Sequence, residues 1–191
     1  MNTREEWLNK VARLMRPMFN EVGSGLPERF RVTMSLTRRA KAIGTCYSPE
    51  ASADGTSEIL IRLDQSDPMT VAAILAHELT HAAVGVDAGH GAPFRRVALA
   101  IGLEGKMTAT TAGEKFKTTV TPILEAVGPF PHAPLDWTAK KSGPKAQKGR
   151  LIKVECQECG FLVRQTRKWI EDVGPAHCPV HGAMAAEPPT E

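Results

Sequence analysis

Two histidines and a glutamate form the pattern with the clearest chemical meaning in this chain, His77-Glu78-Leu79-Thr80-His81. Residues four apart on an α-helix lie one above the other, so both imidazoles can face a single metal ion. Glu78 would then stand beside the water that the ion holds. Such a pair of histidines with an adjacent carboxylate is typical of hydrolytic zinc sites. The pattern therefore predicts a catalytic zinc ion, with Glu78 as general base on the zinc-bound water.

A hydrolytic zinc site needs a third protein ligand and one open position for water. His90 is the first candidate, because the glycines on either side of it allow the chain to turn back toward a preceding helix. Glu104 ranks second, since two histidines and a glutamate also form zinc sites. Asp87 ranks third: it follows His81 at the offset that metzincins use, but those sites carry a glycine where this chain has Val84.

One helix must present the two histidines of the motif. Asp67-Pro68 reads as an N-cap followed by a first-turn proline, and Gly85 ends the segment. Residues 69–84 contain no helix breaker and are apolar on nearly every face, which predicts a buried helix. Buried histidines and a buried glutamate need partners, and a metal ion would serve all three. The alternative is a pair of hydrogen-bonded core histidines without a metal.

The elements around this helix follow from local patterns. Apolar spacing predicts a helix over 4–19, strands over 30–36 and 59–63, and a further helix at about 112–127. The segment 44–57 between the strands contains Gly, Ser and Pro and reads as a connection. One edge of the sheet could hold an extended substrate peptide beside the zinc by strand addition.

A second set of metal-ligand residue types lies near the C-terminal end of the sequence. Cys156 and Cys159 form one short pair, Cys178 and His181 form another, and 18 residues separate the pairs. Each pair supplies two ligands from one turn, and two turns close a tetrahedron with no open position, so this zinc is predicted to be structural. A module of about 35 residues buries little apolar surface, so the metal should supply much of its stability. His177 is the alternative fourth ligand.

Charge is distributed unevenly along the chain. Residues 138–170 contain nine Lys or Arg against two Glu, although the net charge of the whole chain is only +3. A basic stretch with nearby aromatic residues suits single-stranded or distorted DNA, through phosphate contacts and base stacking. The alternative is a solvated linker followed by a module whose aromatic residues, Phe161 and Trp169, pack its interior. The predicted DNA contacts are Lys140, Lys141, Lys145, Lys148, Arg150, Arg164, Arg167 and Lys168.

Cysteine usage and hydropathy bear on the compartment. Three of the four cysteines lie in the C-terminal cluster, which favours metal binding in a reducing compartment over disulfides. Cys46 is expected to be a small buried or turn residue, with a regulatory thiol that blocks the zinc as the alternative. The first residues lack an apolar signal core, and no apolar run approaches the ~20 residues of a membrane span. The sequence predicts a cytoplasmic, nucleoid-associated or nuclear protein that is not secreted.

The motif and the segment after it resemble the SprT-like (Spartan-related) zinc metallopeptidases. That family runs from HELxHA to a later G-H-G-x-x-F, which correspond here to residues 77–82 and 89–94. The segments 35–44 and 59–63 are similar to the hairpin that precedes the metal helix in the family. The likeness extends over about residues 5–183, and it supports His90 as the third ligand.

The resemblance implies an α+β fold in two parts. A minimal zincin-like metallopeptidase domain, made of helices and a small β-sheet, would occupy residues 1–137. A basic flexible linker over 138–150, a zinc ribbon over 151–186 and a short tail over 187–191 would follow. Ribbons in this family usually carry four cysteines, so three cysteines and one histidine are a departure from the pattern.

The resemblance also implies a function: a zinc-dependent metalloendopeptidase that acts on DNA-associated or DNA-crosslinked proteins, as in DNA–protein crosslink repair. One zinc ion would be catalytic and one structural. Two alternatives stay open: a non-catalytic zinc-binding adaptor associated with DNA or transcription, and a general metallopeptidase not coupled to DNA. Glu78 disfavours the adaptor, because a purely structural metal site has no need of a glutamate between its ligands.

Overall fold

The structure is a computed structural model that describes residues 3–36, 42–136 and 151–186. Its architecture is α+β, as the sequence predicts. The chain divides into two compact units, residues 1–138 and 139–191. The predicted linker 138–150 and tail 187–191 lie outside the described residues, and so do five predicted DNA contacts: Lys140, Lys141, Lys145, Lys148 and Arg150.

The first unit combines helices with two small sheets. Its helices are α1 (Arg4–Glu21), α2 (Pro68–Val84), α3 (Ala92–Ala100) and α4 (Glu114–Val127). Its strands are β1 (Phe30–Ser35), β2 (Gly44–Tyr47), β3 (Ser57–Arg62), β4 (Leu103–Lys106) and β5 (Ala109–Ala112). The predicted helices over 4–19 and about 112–127 correspond to α1 and α4, and the predicted strands over 30–36 and 59–63 correspond to β1 and β3.

The central element of this unit is α2, which packs against α1, α3, α4 and both sheets. Its start and end are those that the sequence predicts: the Asp67 side chain accepts a hydrogen bond of 2.8 Å from the Thr70 amide, Pro68 is the first helical residue, and the helix stops at Gly85. Gly85 has a φ of 88°, which a residue with a side chain rarely adopts. The helix is buried over most of its length, so it can carry residues into the centre of the unit.

The three-stranded sheet differs from the prediction in one respect. Its order is β1-β3-β2, with β1 parallel to β3 and β2 antiparallel to β3. The segment 44–57 is therefore not only a connection, because β2 occupies its first four residues. The antiparallel partner of β3 is β2, not β1. With four residues, of which only Cys46 is buried, β2 is too short to show the alternation by which strands are recognised in a sequence.

The outer edge of β1 is closed by side chains of α1. The Val32 amide donates to Asn9 Oδ1 at 3.1 Å, and Asn9 Nδ2 donates to the Val32 carbonyl at 2.7 Å. The Met34 amide donates to Glu5 Oε1 at 3.2 Å. An exposed strand edge is a template for pairing with another chain, and these bonds occupy it. An extended chain could therefore add to this sheet only at its other edge, β2, within the part of the chain that the structure describes.

A two-stranded hairpin of β4 and β5 was not predicted. Its register pairs Lys106 with Ala109, so Met107 and Thr108 form the turn. Two-residue hairpin turns are recognised in sequences by Asn-Gly, Asp-Gly or Gly-containing pairs, and this turn has none of them. The hairpin packs against α2 and so brings β5 close to the motif.

The second unit is small. It contains β6 (Ile152–Glu155), β7 (Leu162–Gln165), α5 (Arg167–Val173), β8 (His177–Cys178), β9 (Gly182–Ala183) and β10 (Ala185–Ala186). One sheet has the order β10-β6-β7, and β8 pairs with β9. The buried residues of this unit, within the part that the structure describes, are Val154, Cys156, Cys178 and Met184. Such a core is too small to stabilise a fold by apolar burial alone.

None of the helices in the described ranges is long and apolar enough to cross a membrane.

Candidate metal centres

Three histidine side chains converge in the first unit. His77 and His81 stand one turn apart on α2, and His90 follows the 3₁₀ turn Val86–Ala88. The chain reverses at Gly89, whose φ of 50° and ψ of −137° suit glycine. His90 Nε2 lies 3.1 Å from His77 Nε2 and 3.2 Å from His81 Nε2. The three ring nitrogens therefore lie close together, which is the arrangement expected if His90 is the third ligand.

The donor set fits a metal ion better than it fits hydrogen bonds. A ring nitrogen carries either a proton or a lone pair, so three Nε2 atoms around one point cannot all be satisfied by each other. Four tetrahedral ligands at the Zn–N distance of about 2.1 Å are about 3.4 Å apart, close to the separations seen here. The Nδ1 atom of His81 is buried and has no hydrogen-bond partner among the described residues, so no hydrogen bond from them orients this ring. These three residues could hold a metal ion.

Burial keeps these imidazoles neutral. Desolvation, followed by the proximity of the other two histidines, lowers the pKa of His77 to about 3. Desolvation and then His90 lower the pKa of His81 to about 4, and desolvation lowers the pKa of His90. A metal binds the neutral imidazole through its lone pair, so this is the protonation state that a ligand needs.

Two further residues, neither of them a predicted ligand, contact the imidazole rings of the histidines. Thr110 Oγ1, on β5, lies 2.8 Å from His77 Nδ1. The buried Phe94 ring packs against all three imidazoles, with ring centroids 4.5 to 4.9 Å apart. Phe94 belongs to the G-H-G-x-x-F segment, so the resemblance contains a signal for it. Thr110 lies 33 residues from His77 on a hairpin that no local pattern indicates, and the sequence contains no signal for it.

The two rival third ligands lie outside this group. Among the described residues, neither Asp87 nor Glu104 brings a carboxylate oxygen within 4.8 Å of all the histidine nitrogens. Asp87 is part of the 3₁₀ turn before His90. The Glu104 carboxylate lies over Gly113, where a Cβ atom would overlap it.

Glu78 is buried beside the histidines. Its side chain is 6 % exposed and lines the same cleft as the three rings. Burial raises the pKa of Glu78 to about 8. A cation held by the neighbouring histidines would favour the ionised carboxylate, as an opposite charge does. Cys46 is buried as expected, and desolvation with the nearby Glu78 carboxylate raises the pKa of its thiol to about 12.

A cleft of about 1150 Å³ lies over this group. Its lining includes residues 42–47, which contain β2, residues 108–110 of the β4–β5 hairpin, the three histidines and Glu78. Since Ile43 and Arg62 are a hydrogen-bonded pair and such pairs alternate, the backbone N–H and C=O groups of Gly44 and Cys46 point away from β3. No other described strand pairs with this edge of β2. The cleft therefore has a strand edge open to an extended chain.

The second unit brings the other predicted ligands together. Cys159 Sγ lies 3.7 Å from Cys178 Sγ, and His181 Nδ1 lies 3.7 Å from the sulfurs of both Cys156 and Cys178. A tetrahedron built on Zn–S distances of about 2.3 Å has edges of about 3.8 Å. These four residues could hold a metal ion, whereas His177 is exposed and stands outside the group.

The two turns that carry these ligands have the same local geometry. Amides of Cys159 and Glu158 lower the pKa of Cys156, and amides of His181 and Val180 lower the pKa of Cys178. In each turn the amides come from the residues three and two positions further on. Each turn then ends at a glycine in the left-handed region, Gly160 at 73° and Gly182 at 84°. A glycine after each pair is a signal that was available in the sequence.

The basic and aromatic residues of this unit lie on its surface. Arg164, Arg167 and Lys168 are exposed. Trp169 is 50 % exposed and Phe161 is 43 % exposed, so neither ring is part of the small core. The Lys168 ammonium lies 5.1 Å from the centre of the Trp169 ring. Cations and an accessible aromatic face are the groups that contact phosphates and stack on bases.

Fold and sites together define an α+β chain with two groups of residues that could each hold a metal ion, one beside an open cleft and one within a small second unit. Comparison with family models, with curated proteins and with solved structures finds no match to this chain.

Proposed function

We propose that the protein is a zinc-dependent metalloendopeptidase in which His77, His81 and His90 hold the catalytic ion and Glu78 is the general base. One observation carries this proposal: three neutral imidazole nitrogens converge in the lining of an open cleft that the buried Glu78 carboxylate also lines. A structural metal site requires neither the carboxylate nor the cleft. On this proposal the first unit is a minimal zincin-like domain.

The chemistry is divided between the ion and Glu78. Zinc, when bound, supplies Lewis acidity that makes water more acidic and polarises a carbonyl group. Glu78 accepts the proton from the attacking water and delivers it to the leaving amine. Glu78 lines the cleft together with the three histidines, so its carboxylate can accept that proton from a water held there.

The open edge of β2 would align the substrate. The amide and carbonyl groups of Gly44 and Cys46 point away from β3, and the Gly44 carbonyl also accepts a hydrogen bond of 2.8 Å from the Thr45 hydroxyl. These groups would pair with an extended peptide, which would cross the cleft beside the histidines. Pairing of this kind accepts peptides of many different sequences, because its hydrogen bonds are made to the peptide backbone and not to the side chains. The capped edge of β1 leaves this sheet no equivalent site in the described residues.

The second unit would be a zinc ribbon that brings the enzyme to DNA. Cys156, Cys159, Cys178 and His181 would hold a structural zinc, with no position left open for water. Exposed cations and the half-exposed Trp169 would contact single-stranded or distorted DNA by phosphate contacts and stacking. The substrates would then be proteins bound or crosslinked to DNA, in the cytoplasm at the nucleoid or in the nucleus.

The test is cleavage of a DNA-binding protein with and without single-stranded DNA. We expect DNA to accelerate cleavage by the wild type. In the double variant Arg167→Gln/Lys168→Gln, most of this acceleration should be lost. The matched control is Lys10→Gln/Arg13→Gln, which removes two exposed cations from α1 and should respond to DNA as the wild type does. Cleavage that ignores DNA would favour a general metallopeptidase. DNA binding without any cleavage by a fully zinc-loaded protein would favour the adaptor.

A further inference from the structure

We infer that Thr110 is a positioning residue for the metal centre: its hydroxyl holds His77 in the tautomer and ring orientation that present the Nε2 lone pair to the ion. This inference rests on the zinc site of the proposed function, but it does not depend on peptidase activity. Thr110 belongs to neither the His77–His81 motif nor the segment around His90.

The tautomer follows from the hydrogen bond. A neutral imidazole carries one N–H, and the nitrogen without it has the lone pair. His77 Nε2 faces His90 and would bind the metal, so its proton must be at Nδ1. Thr110 Oγ1 lies 2.8 Å from Nδ1 and accepts this hydrogen bond. Without the hydroxyl, the buried N–H would lose its partner, and the tautomer with the proton on Nε2 would gain population.

The other ligand of the helix has no comparable bond. His81 Nδ1 is buried without a hydrogen-bond partner in the described part of the chain, and its ring is held by packing on Phe94, at 4.5 Å between centroids. The Thr110 bond is therefore the polar anchor of the two helical ligands. Residues that orient a metal-binding histidine through its second nitrogen typically change metal affinity by about 10- to 100-fold when they are mutated.

The hairpin is well suited to carry this anchor. Thr110 lies on β5, pairs with Gly105 of β4 and is held against α2 by the packing of the hairpin. A hydroxyl on a paired strand is more rigidly placed than one on a loop. The hairpin also supplies a matched control, since Thr111 is the next residue, pairs with Glu104 and is exposed.

The experiment measures Zn²⁺ binding to the full-length chain by competition with a chromogenic chelator. Thiolates bind zinc more tightly than imidazoles alone, so the second, weaker equivalent reports the histidine site. His77→Ala, which should bind one ion only, verifies this assignment. We expect Thr110→Val, which keeps the size and β-branching of threonine, to weaken the second equivalent by about 10- to 100-fold. Thr110→Ser, which keeps the hydroxyl, and Thr111→Val should bind as the wild type does.

Wild-type zinc affinity in Thr110→Val would overturn the inference. Equal weakening in Thr110→Ser or Thr111→Val would also overturn it, because the cause would then be a disturbed hairpin and not a lost hydrogen bond. A different result would overturn the proposed function alone. The wild type would then bind two zinc ions, Thr110→Val would weaken the second ion as expected, and the wild type would cleave no peptide. A wild type that binds a single ion would overturn both.

Discussion

Glu78 occupies its place because the residue that passes over it has no side chain. A Cβ atom on Gly44 would lie 2.5 Å from Glu78 Oε1 and 2.9 Å from Glu78 Cγ and from Ile74 Cγ2. Real Cβ atoms do not approach other atoms so closely, so any other residue at position 44 would force Glu78 or Ile74 to move. Gly44 lies on β2, and the close approach brings the open strand edge next to the proposed general base.

Gly44→Ala tests this contact. We expect an overpacking cost of about 1–3 kcal/mol in the free energy of unfolding, and a fall in kcat on the order of 10²-fold because the carboxylate is displaced. Zinc content should not change. Chemical denaturation and steady-state kinetics measure the two effects.

Gly25→Ala is the matched control for this substitution. A Cβ atom at position 25 would meet only Asn20 Oδ1, at 3.3 Å. Neither Gly25 nor Asn20 is among the residues that line the cleft. We expect its kcat to equal that of the wild type. A Gly44→Ala protein with wild-type kcat would show that Glu78 does not need this space.

Single residues differ in how far the sequence reveals them. The sequence reveals His77, Glu78 and His81 because all three lie on one helix. The helix fixes their relative positions, and the four-residue spacing of the histidines shows that they share one face. Gly44 and Thr110 act across 34 and 33 residues, through the packing of strands on α2. Their roles depend on tertiary contacts, which no local spacing encodes.

At the scale of elements, boundaries with chemical signals are predictable and short strands are not. The N-cap, the first-turn proline and the terminal glycine of α2 were all recognisable, because each satisfies or removes a backbone group at a helix end. β2 and the β4–β5 hairpin are four-residue strands, and the turn at 107–108 carries no glycine or asparagine. Their stability comes from partners distant in sequence, so local pattern gives no evidence of them.

The contrast between the two edges of the three-stranded sheet leads to a stability prediction. Asn9→Ala would leave the Val32 amide and carbonyl groups without their partners on α1. We expect the free energy of unfolding to fall by about 1–3 kcal/mol, the usual cost of part-buried polar groups that lose their hydrogen bonds. Urea denaturation followed by circular dichroism measures this change.

Asn20→Ala is the corresponding control on the same helix, because the Asn20 side chain is exposed. Its unfolding free energy should stay within about 0.5 kcal/mol of the wild type. If Asn9→Ala were equally mild, the side-chain cap on β1 would be dispensable, and the edge of β1 would be as open to strand addition as that of β2.

At the scale of the whole molecule, the two units are expected to depend on metal to different degrees. The first unit has a continuous core that includes Trp7, Phe19, Phe94 and Phe116, all fully buried. Within the described residues, the second unit buries only Val154 and Met184 besides two of the cysteines that could hold a metal ion. Binding energy of a structural zinc is folding energy in such a module.

Metal removal should therefore unfold one unit and spare the other. After treatment with a strong chelator, we expect amides in residues 151–186 to lose protection from hydrogen exchange, while amides of α1 and α4 keep theirs. Cys178→Ser should have the same effect on the second unit without chelator. Cys46→Ser serves as control, because Cys46 lies outside both metal groups. Persistent protection of residues 151–186 in metal-free protein would refute the role of zinc in their folding.

The proposed roles of Glu78 and the three histidines are tested by hydrolysis of an unstructured fluorogenic peptide, with the wild type and Glu78→Gln compared at equal zinc content. Glutamine preserves the shape of the side chain but cannot accept the proton. We expect cleavage by the wild type and a loss of about 10²- to 10⁴-fold in kcat for Glu78→Gln, the usual contribution of a general base. Equal rates for the two proteins, or no cleavage by a wild type that holds both zinc ions, would rule out these roles.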